Sequence, residues 1–507
     1  MIRNDTSESP SNSSQVILVR EATINTMATQ EEVELPNMVG EMKLDSGVTN
    51  DSPVLEINCD ASGPDQPEGQ QTTDTQQTLN EQKKNGINNP VFSEEGTIEE
   101  TIPPLTYVDF LPQKTHAEIA TDPTFSDFSS IIEQANSWLT LNPEYSLWKC
   151  ETVTFKIKND FTSDQDDPVY MESAFGLNRY LSGLRLWLVP QMNSTLPVAQ
   201  IGFTTALPGK LDEHNYVIAS SHSTIQDSIE QLNKQFIKKP LPGVILNVEM
   251  IEFHENESSG SMSIDPNKTY WEEKGTENMV KISAVRVYFI IGKPEYVKIG
   301  YHDEQPSMQH VPFSTVVKFG PFRDVVTKMG YWLKSQKGIR VVNLQSINVV
   351  VSYSRDVKAH LDPTQNCSTE KTGIESRYAK VLRAFYVQQK SDEVPYSSLN
   401  LHTRLFVPVL REGKLFESVS KTMQRTIKWL DYTRVPPFSV ETIQYQVYLG
   451  GESVGNLEDK VDKSVRRTNG RYQLSTFRIY FPSEFSEPPP EIAPEVDTAA
   501  GWGCVIS

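Results

Sequence analysis

Four arginines recur along this chain at almost constant spacing: Arg185, Arg286, Arg383 and Arg478, at intervals of 101, 97 and 95 residues. Each stands two residues before an aromatic: Trp187, Tyr288, Phe385 and Tyr480. On a strand, residues two apart share a face. Each guanidinium can therefore lie against a ring and still present its planar donor fork. Such a fork suits a carboxylate, a phosphate or peptide carbonyls. Two roles fit: a recurring surface for an anionic or peptide ligand, or packing between neighbouring units. Duplicated modules repeat their structural residues first, which favours packing.

A second polar series is Glu151, Glu249, Gln345 and Glu441, at intervals of 98, 96 and 96 residues. In the first copy the glutamate alternates in step with Val153, Phe155 and Ile157. A carboxylate beside a core needs a partner, and a backbone N–H or the arginine of the same unit is the nearest candidate. The amide of Gln345 cannot act as acid or base, so the series reads as structural. The stretch GESVG, Gly451 to Gly455, has the spacing of a nucleophile elbow around Ser453. That chemistry needs a later base, yet His402 is the last histidine, and the residues that follow are polar. Ser453 reads as a loop serine, and the histidines have no metal-ligand spacing. No catalytic residue, metal or cofactor is assigned, and the chain is not expected to be an enzyme.

The elements that must carry these residues repeat with them. Trp138, Phe236, Trp332 and Trp429 keep the same period, at intervals of 98, 96 and 97. The expected fold class is α+β: four tandem β-α-β-β repeats of about 96 residues, with mostly antiparallel sheets each covered by a helix. The expected divisions are a disordered acidic region 1–100, repeats at 101–190, 191–292, 293–390 and 391–483, and a Pro-rich linker at 484–507. In the first repeat, Phe125, Phe128, Ile132, Ala135 and Leu139 fall at helical spacing, and Asp122-Pro123 is the expected start. In the third, Pro321 starts the helix and Gly338 stops it. The arginine strands alternate, with Leu184, Leu186 and Leu188 on a core face and Arg185 and Trp187 on the other. A polar loop of roughly twenty residues separates the glutamate and arginine strands. Beads, paired domains and a closed assembly all fit the repeat. The short connections favour units packed on one another.

Charge divides the chain. The full sequence carries -19, of which residues 1–100 carry -14 and the remainder -5. No basic field exists to bind nucleic acid. The four cysteines, Cys59, Cys150, Cys367 and Cys504, are too far apart for a disulfide framework. The polar opening MIRNDTSESPSNSS has no apolar core, so no export signal is expected.

Cys504-Val505-Ile506-Ser507 resembles the CaaX box of prenylated proteins. The resemblance implies farnesylation of Cys504, removal of Val505 to Ser507 and carboxyl methylation. The flank is acidic and offers no second cysteine, so a lone prenyl chain would give reversible membrane attachment. The reading that joins these features is a non-enzymatic, prenyl-anchored interaction or scaffold protein. It would be cytoplasmic, peripheral on the cytosolic face of a membrane, and engaged with a protein partner. The alternative is an intracellular sensor that binds a small anion or peptide through the Arg-aromatic faces.

Overall fold

The computed structural model describes residues 105–489 and 504–505. Within that range it leaves out 116–122, 159–160, 174–175, 192–196, 210–222, 257–263, 275–277, 311–316, 354–358, 371–376, 410–415, 450–464 and 467–470. The expected disordered arm 1–100, Ser453 with its GESVG stretch, and most of the Pro-rich linker lie outside the described residues. The described part is an α+β fold of helices and antiparallel sheets.

Four helices carry apolar stripes: α1 (Phe128–Leu141), α2 (Ile225–Lys238), α3 (Phe322–Ser335) and α4 (Val419–Thr433). The start of α1 is Asp127, whose carboxylate accepts from Ser130 N at 2.8 Å, and not Asp122-Pro123. The reason is a competing pairing: Thr124–Phe125 joins Lys114–Thr115 as a short hairpin and holds that segment extended. Thr224 closes a capping box with Asp227 on α2, Pro321 is the N-cap of α3, and Ser418 caps α4. Beyond α3, Gly338 turns the chain at φ +57°. Arg434 takes the same left-handed conformation after α4, at φ 57°, without the freedom of glycine.

Each sheet is antiparallel, with its last long strand between the other two. The first contains β1 (Thr106–Phe110), β2 (Tyr145–Ile157) and β4 (Leu177–Pro190), with β4 in the middle; β3 (Val169–Glu172) lies between the last two in sequence. The second uses β5 (Ile201–Ala206), β6 (Gly243–Asn256) and β8 (Met279–Ile291), with β7 (Tyr270–Lys274) in its connecting loop. The third uses β9 (Lys298–Glu304), β10 (Ile339–Tyr353) and β12 (Arg377–Gln388), with β11 (Cys367–Glu370) in the loop. The fourth uses β13 (His402–Phe406), β14 (Ser439–Leu449) and β16 (Arg471–Phe481), with β15 (Val465–Arg466) in the loop. The register sets Glu151 opposite Arg185, Glu249 opposite Arg286, Gln345 opposite Arg383 and Glu441 opposite Arg478.

The polar loops expected between these strands are not merely loops. The short strand in each pairs with the arginine strand of the preceding sheet: β7 with β4, β11 with β8, β15 with β12, and β3 with β16. Loop backbone also caps neighbouring helices. Phe128 N donates to Asn267 O at 2.9 Å, Ile225 N to Thr364 O at 3.0 Å, and Val419 N to Asp166 O at 3.0 Å.

Alternation predicts one core face per arginine strand; both faces are buried. Leu184, Leu186 and Leu188 lie under α1, while Trp187 joins Trp429, Leu430 and Phe477 in the core of α4. Tyr288 enters the core of α1, Phe385 that of α2, and Tyr480 that of α3. Every helix is thus covered by its own sheet and by the next, and the order of layers closes when α4 meets the first sheet. Packing continues past the expected boundary at 483: Phe485 meets Trp429 and Phe481, and Trp429 Nε1 donates to Glu487 at 2.8 Å.

Candidate functional site

β2, β6, β10 and β14 meet at four seams. At each seam the glutamate or glutamine of one strand accepts from the backbone of the strand before it. Thr152 N donates to Glu249 at 3.0 Å, Met250 N to Gln345 at 2.8 Å, Ser346 N to Glu441 at 2.7 Å, and Thr442 N to Glu151 at 3.1 Å. The partner is a backbone N–H, one of the two expected candidates, and it comes from a neighbouring sheet. Where the residue after the glutamate has a hydroxyl, that hydroxyl joins in: Thr152 bonds Glu249, Ser346 bonds Glu441, and Thr442 bonds Glu151. A second tier lies beside the first. Asn247 donates to Cys150 O, Asn343 to Val248 O, and Lys149 to Val440 O. Lys149 is 5% exposed and also donates to Asn343 Oδ1 at 2.6 Å. Burial lowers its pKa, against the pull of Glu151, Glu441 and Glu249.

The predicted arginines sit inside these seams, each with at most 2% exposure. Arg185 pairs with Asp109 and donates Nη1 to Thr442 Oγ1 at 2.9 Å. Arg383 pairs with Asp303. Arg286 uses Thr205, Thr152 and Pro266 O. Arg478 Nε lies 3.7 Å from Glu441 Oε1. The ring nearest each guanidinium is not the predicted aromatic two residues on. Arg185 stacks on Tyr107 at 4.0 Å, Arg286 on Phe128 at 3.9 Å, Arg383 on Tyr301 at 4.9 Å, and Arg478 on Phe322 at 4.0 Å. The predicted aromatics serve the seams instead: Trp187 Nε1 donates to Glu151 at 3.0 Å, and Tyr480 OH to Glu441 at 2.7 Å. Cys504 pairs through its backbone with Leu449.

Beyond the seams the central strands border a cavity of about 440 Å³. Thr152, Glu252, Gln345 and Gln444 come from the four central strands, and Arg286 and Arg383 are the two predicted arginines that reach it. An ionic cluster lines one part of its wall. His254 bridges Glu273 through Nδ1 and Glu252 through Nε2, the latter at 3.3 Å. Lys281 Nζ lies 3.0 Å from Glu370, which Tyr378 OH also contacts. Trp271 stacks on Tyr180 at 5.3 Å and lies against His254.

These groups are held away from neutrality. Burial alone would raise Glu252 and Glu273, but Lys281 and His254 outweigh it and hold both at about 2. Burial alone would lower His254, yet Glu273 and Glu252 raise it. A general acid or base works best with a pKa near the working pH, and the two glutamates lie far below it. Among the described residues, no group of three or more His, Cys, Asp and Glu could hold a metal ion, and no helix is long and apolar enough to cross a membrane.

Sequence reasoning missed His254, Glu252, Glu273, Lys281 and Trp271. They lie on strands whose alternation reads as ordinary solvated faces, and only the strand exchanged between sheets brings Trp271 and Glu273 to the others. No family of known proteins, no curated protein and no solved structure matches this chain.

Proposed function

We propose that this chain is a non-enzymatic binding protein of four duplicated α+β modules, at 101–190, 191–292, 293–390 and 391–483, that holds a small polar ligand in the cavity they share. One observation carries the reading: a single space of about 440 Å³ is lined by polar side chains from all four sheets, with aromatic and permanently charged groups among them. That volume falls within the usual range for small-molecule sites. The cavity favours holding a ligand over presenting a surface as a scaffold. The prenyl tether at Cys504 belongs to the same reading and rests on its resemblance to a CaaX box.

Native mass spectrometry of the full chain isolated from its own cells tests both parts. A small non-covalent mass excess is expected in the wild type and absent from Trp271→Ala, together with a covalent farnesyl increment that Cys504→Ser removes. A wild-type protein without the non-covalent excess, showing no thermal stabilisation by any member of a panel of polar small molecules, would overturn the binding reading. An unmodified Cys504 peptide would overturn the tether alone.

A further inference from the structure

Arg286 and Arg383 reach the cavity from corresponding places, but only one of them is fully engaged. Arg286 donates Nε to Thr205 Oγ1 at 3.1 Å, Nη1 to Thr152 Oγ1 at 3.1 Å and Nη2 to Pro266 O at 2.9 Å. Arg383 donates Nε and Nη2 to Asp303 at 2.7 Å each, and Nη2 also to Pro363 O at 2.7 Å. Its Nη1 has no acceptor, although the residue is 0% exposed.

The cause is legible residue by residue. Three central strands carry a hydroxyl after the glutamate position: Thr152, Ser346 and Thr442. The second carries Met250, whose thioether is a weak acceptor. The same seam has the neutral amide of Gln345 in place of glutamate and Phe385 in place of Trp or Tyr. Met250 N and O are both satisfied by the Gln345 amide, so the seam closes and offers nothing to Nη1. A buried donor without an acceptor is an exception that calls for a cause.

A second unspent atom borders the same cavity. Gln444 Oε1 is buried without a donor, while its Nε2 donates to Ser475 Oγ at 2.7 Å. One unspent donor and one unspent acceptor are the complements of a carboxamide. Asp303 already balances the charge of Arg383, so its Nη1 suits a neutral acceptor, and Glu252 and Glu273 border the space already matched by Lys281 and His254. Trp271 and the tyrosines beside it offer flat apolar faces.

We propose that the cavity binds a small, uncharged aromatic carboxamide, with Arg383 Nη1 donating to its carbonyl oxygen and Gln444 Oε1 accepting from its N–H. This rests on the reading that the cavity holds a ligand. Met250 is then the specificity-determining residue, because its lack of a hydroxyl leaves Arg383 available.

Ligand-observed NMR and calorimetry on the full chain, with benzamide and benzoate as probes, test it. Benzamide is expected to bind and benzoate to bind about tenfold more weakly or not at all. Met250→Thr restores the hydroxyl that three sister strands already carry. It is expected to weaken benzamide about tenfold while raising thermal stability. Benzamide that is lost with Trp271→Ala but unmoved by Met250→Thr overturns the role of Arg383 and leaves the cavity reading standing. Absence of benzamide binding, binding indifferent to both substitutions, or equal binding of benzoate overturns the proposal.

Discussion

The four seam arginines divide into two pairs. In the first and third sheets the edge strand places an aspartate directly opposite: Asp109 faces Arg185 and Asp303 faces Arg383. In the second and fourth the same place holds Thr205 and Leu405. The stacking partner changes with the charge partner. Arg185 and Arg383 lie on a tyrosine of their own edge strand, while Arg286 and Arg478 lie on the phenylalanine that opens the preceding helix. A buried cation is thus accommodated either by an aspartate of the edge strand or without one, Arg286 by two hydroxyls and a carbonyl and Arg478 beside Glu441. The lesson is that each of these buried arginines has its charge balanced by a different set of neighbours.

The comparison breaks most visibly at the aspartates. Asp303→Ala strands a buried guanidinium and is expected to cost about 3–5 kcal/mol in urea unfolding, whereas Thr205→Ala removes one neutral acceptor and is expected to cost about 1 kcal/mol. Equal losses would show that the two arrangements are not different in kind.

The next test is pH. Burial pushes Glu249 up to about 7, against the Thr152 hydrogen bonds and Arg286. The unfolded chain releases this proton near 4.5, and the folded chain keeps it until about 7. Between those values the folded state binds more protons, so stability falls as pH rises and then levels off above the folded pKa. The loss from this one group is about 3 kcal/mol. Glu249→Gln, which copies Gln345, is expected to remove that slope. Urea midpoints at pH 5 and pH 7.5 measure it, and a slope unchanged by the substitution counts against the assignment.

A smaller effect sharpens the contrast. Thr152→Val deletes the hydroxyl shared by Glu249 and Arg286 and is expected to cost about 1–2 kcal/mol. Thr205→Val removes an acceptor from Arg286 alone and should cost less. A reversed order would place the main support of Arg286 on the edge strand and not at the seam.

Much of the fold was legible because short-range physics dictates it. The alternation of Leu184, Leu186 and Leu188 named the face under α1, and Pro321 marked the start of α3. Failures came where partners are distant in sequence. Asp122-Pro123 looked like a helix start because nothing local reveals the hairpin with Lys114–Thr115. The polar loops concealed strands because their alternation is short and their pairing partners belong to another sheet. The burial of Arg185 was open for the same reason: its covering layer includes Phe477 of the fourth sheet. Of the cavity, Arg286 and Arg383 were legible from their period. His254 and Glu273 were not, since neither repeats and their meeting depends on register.

The bond from Thr442 N to Glu151 spans 291 residues, while its three counterparts span between 95 and 97. It is the clasp of the assembly. A chain growing from its N-terminus completes the first sheet long before α4 exists to cover Trp187, and the entropy of closing so long a loop falls on this one seam. The first sheet is accordingly both the earliest part to be made and the last to be sheltered.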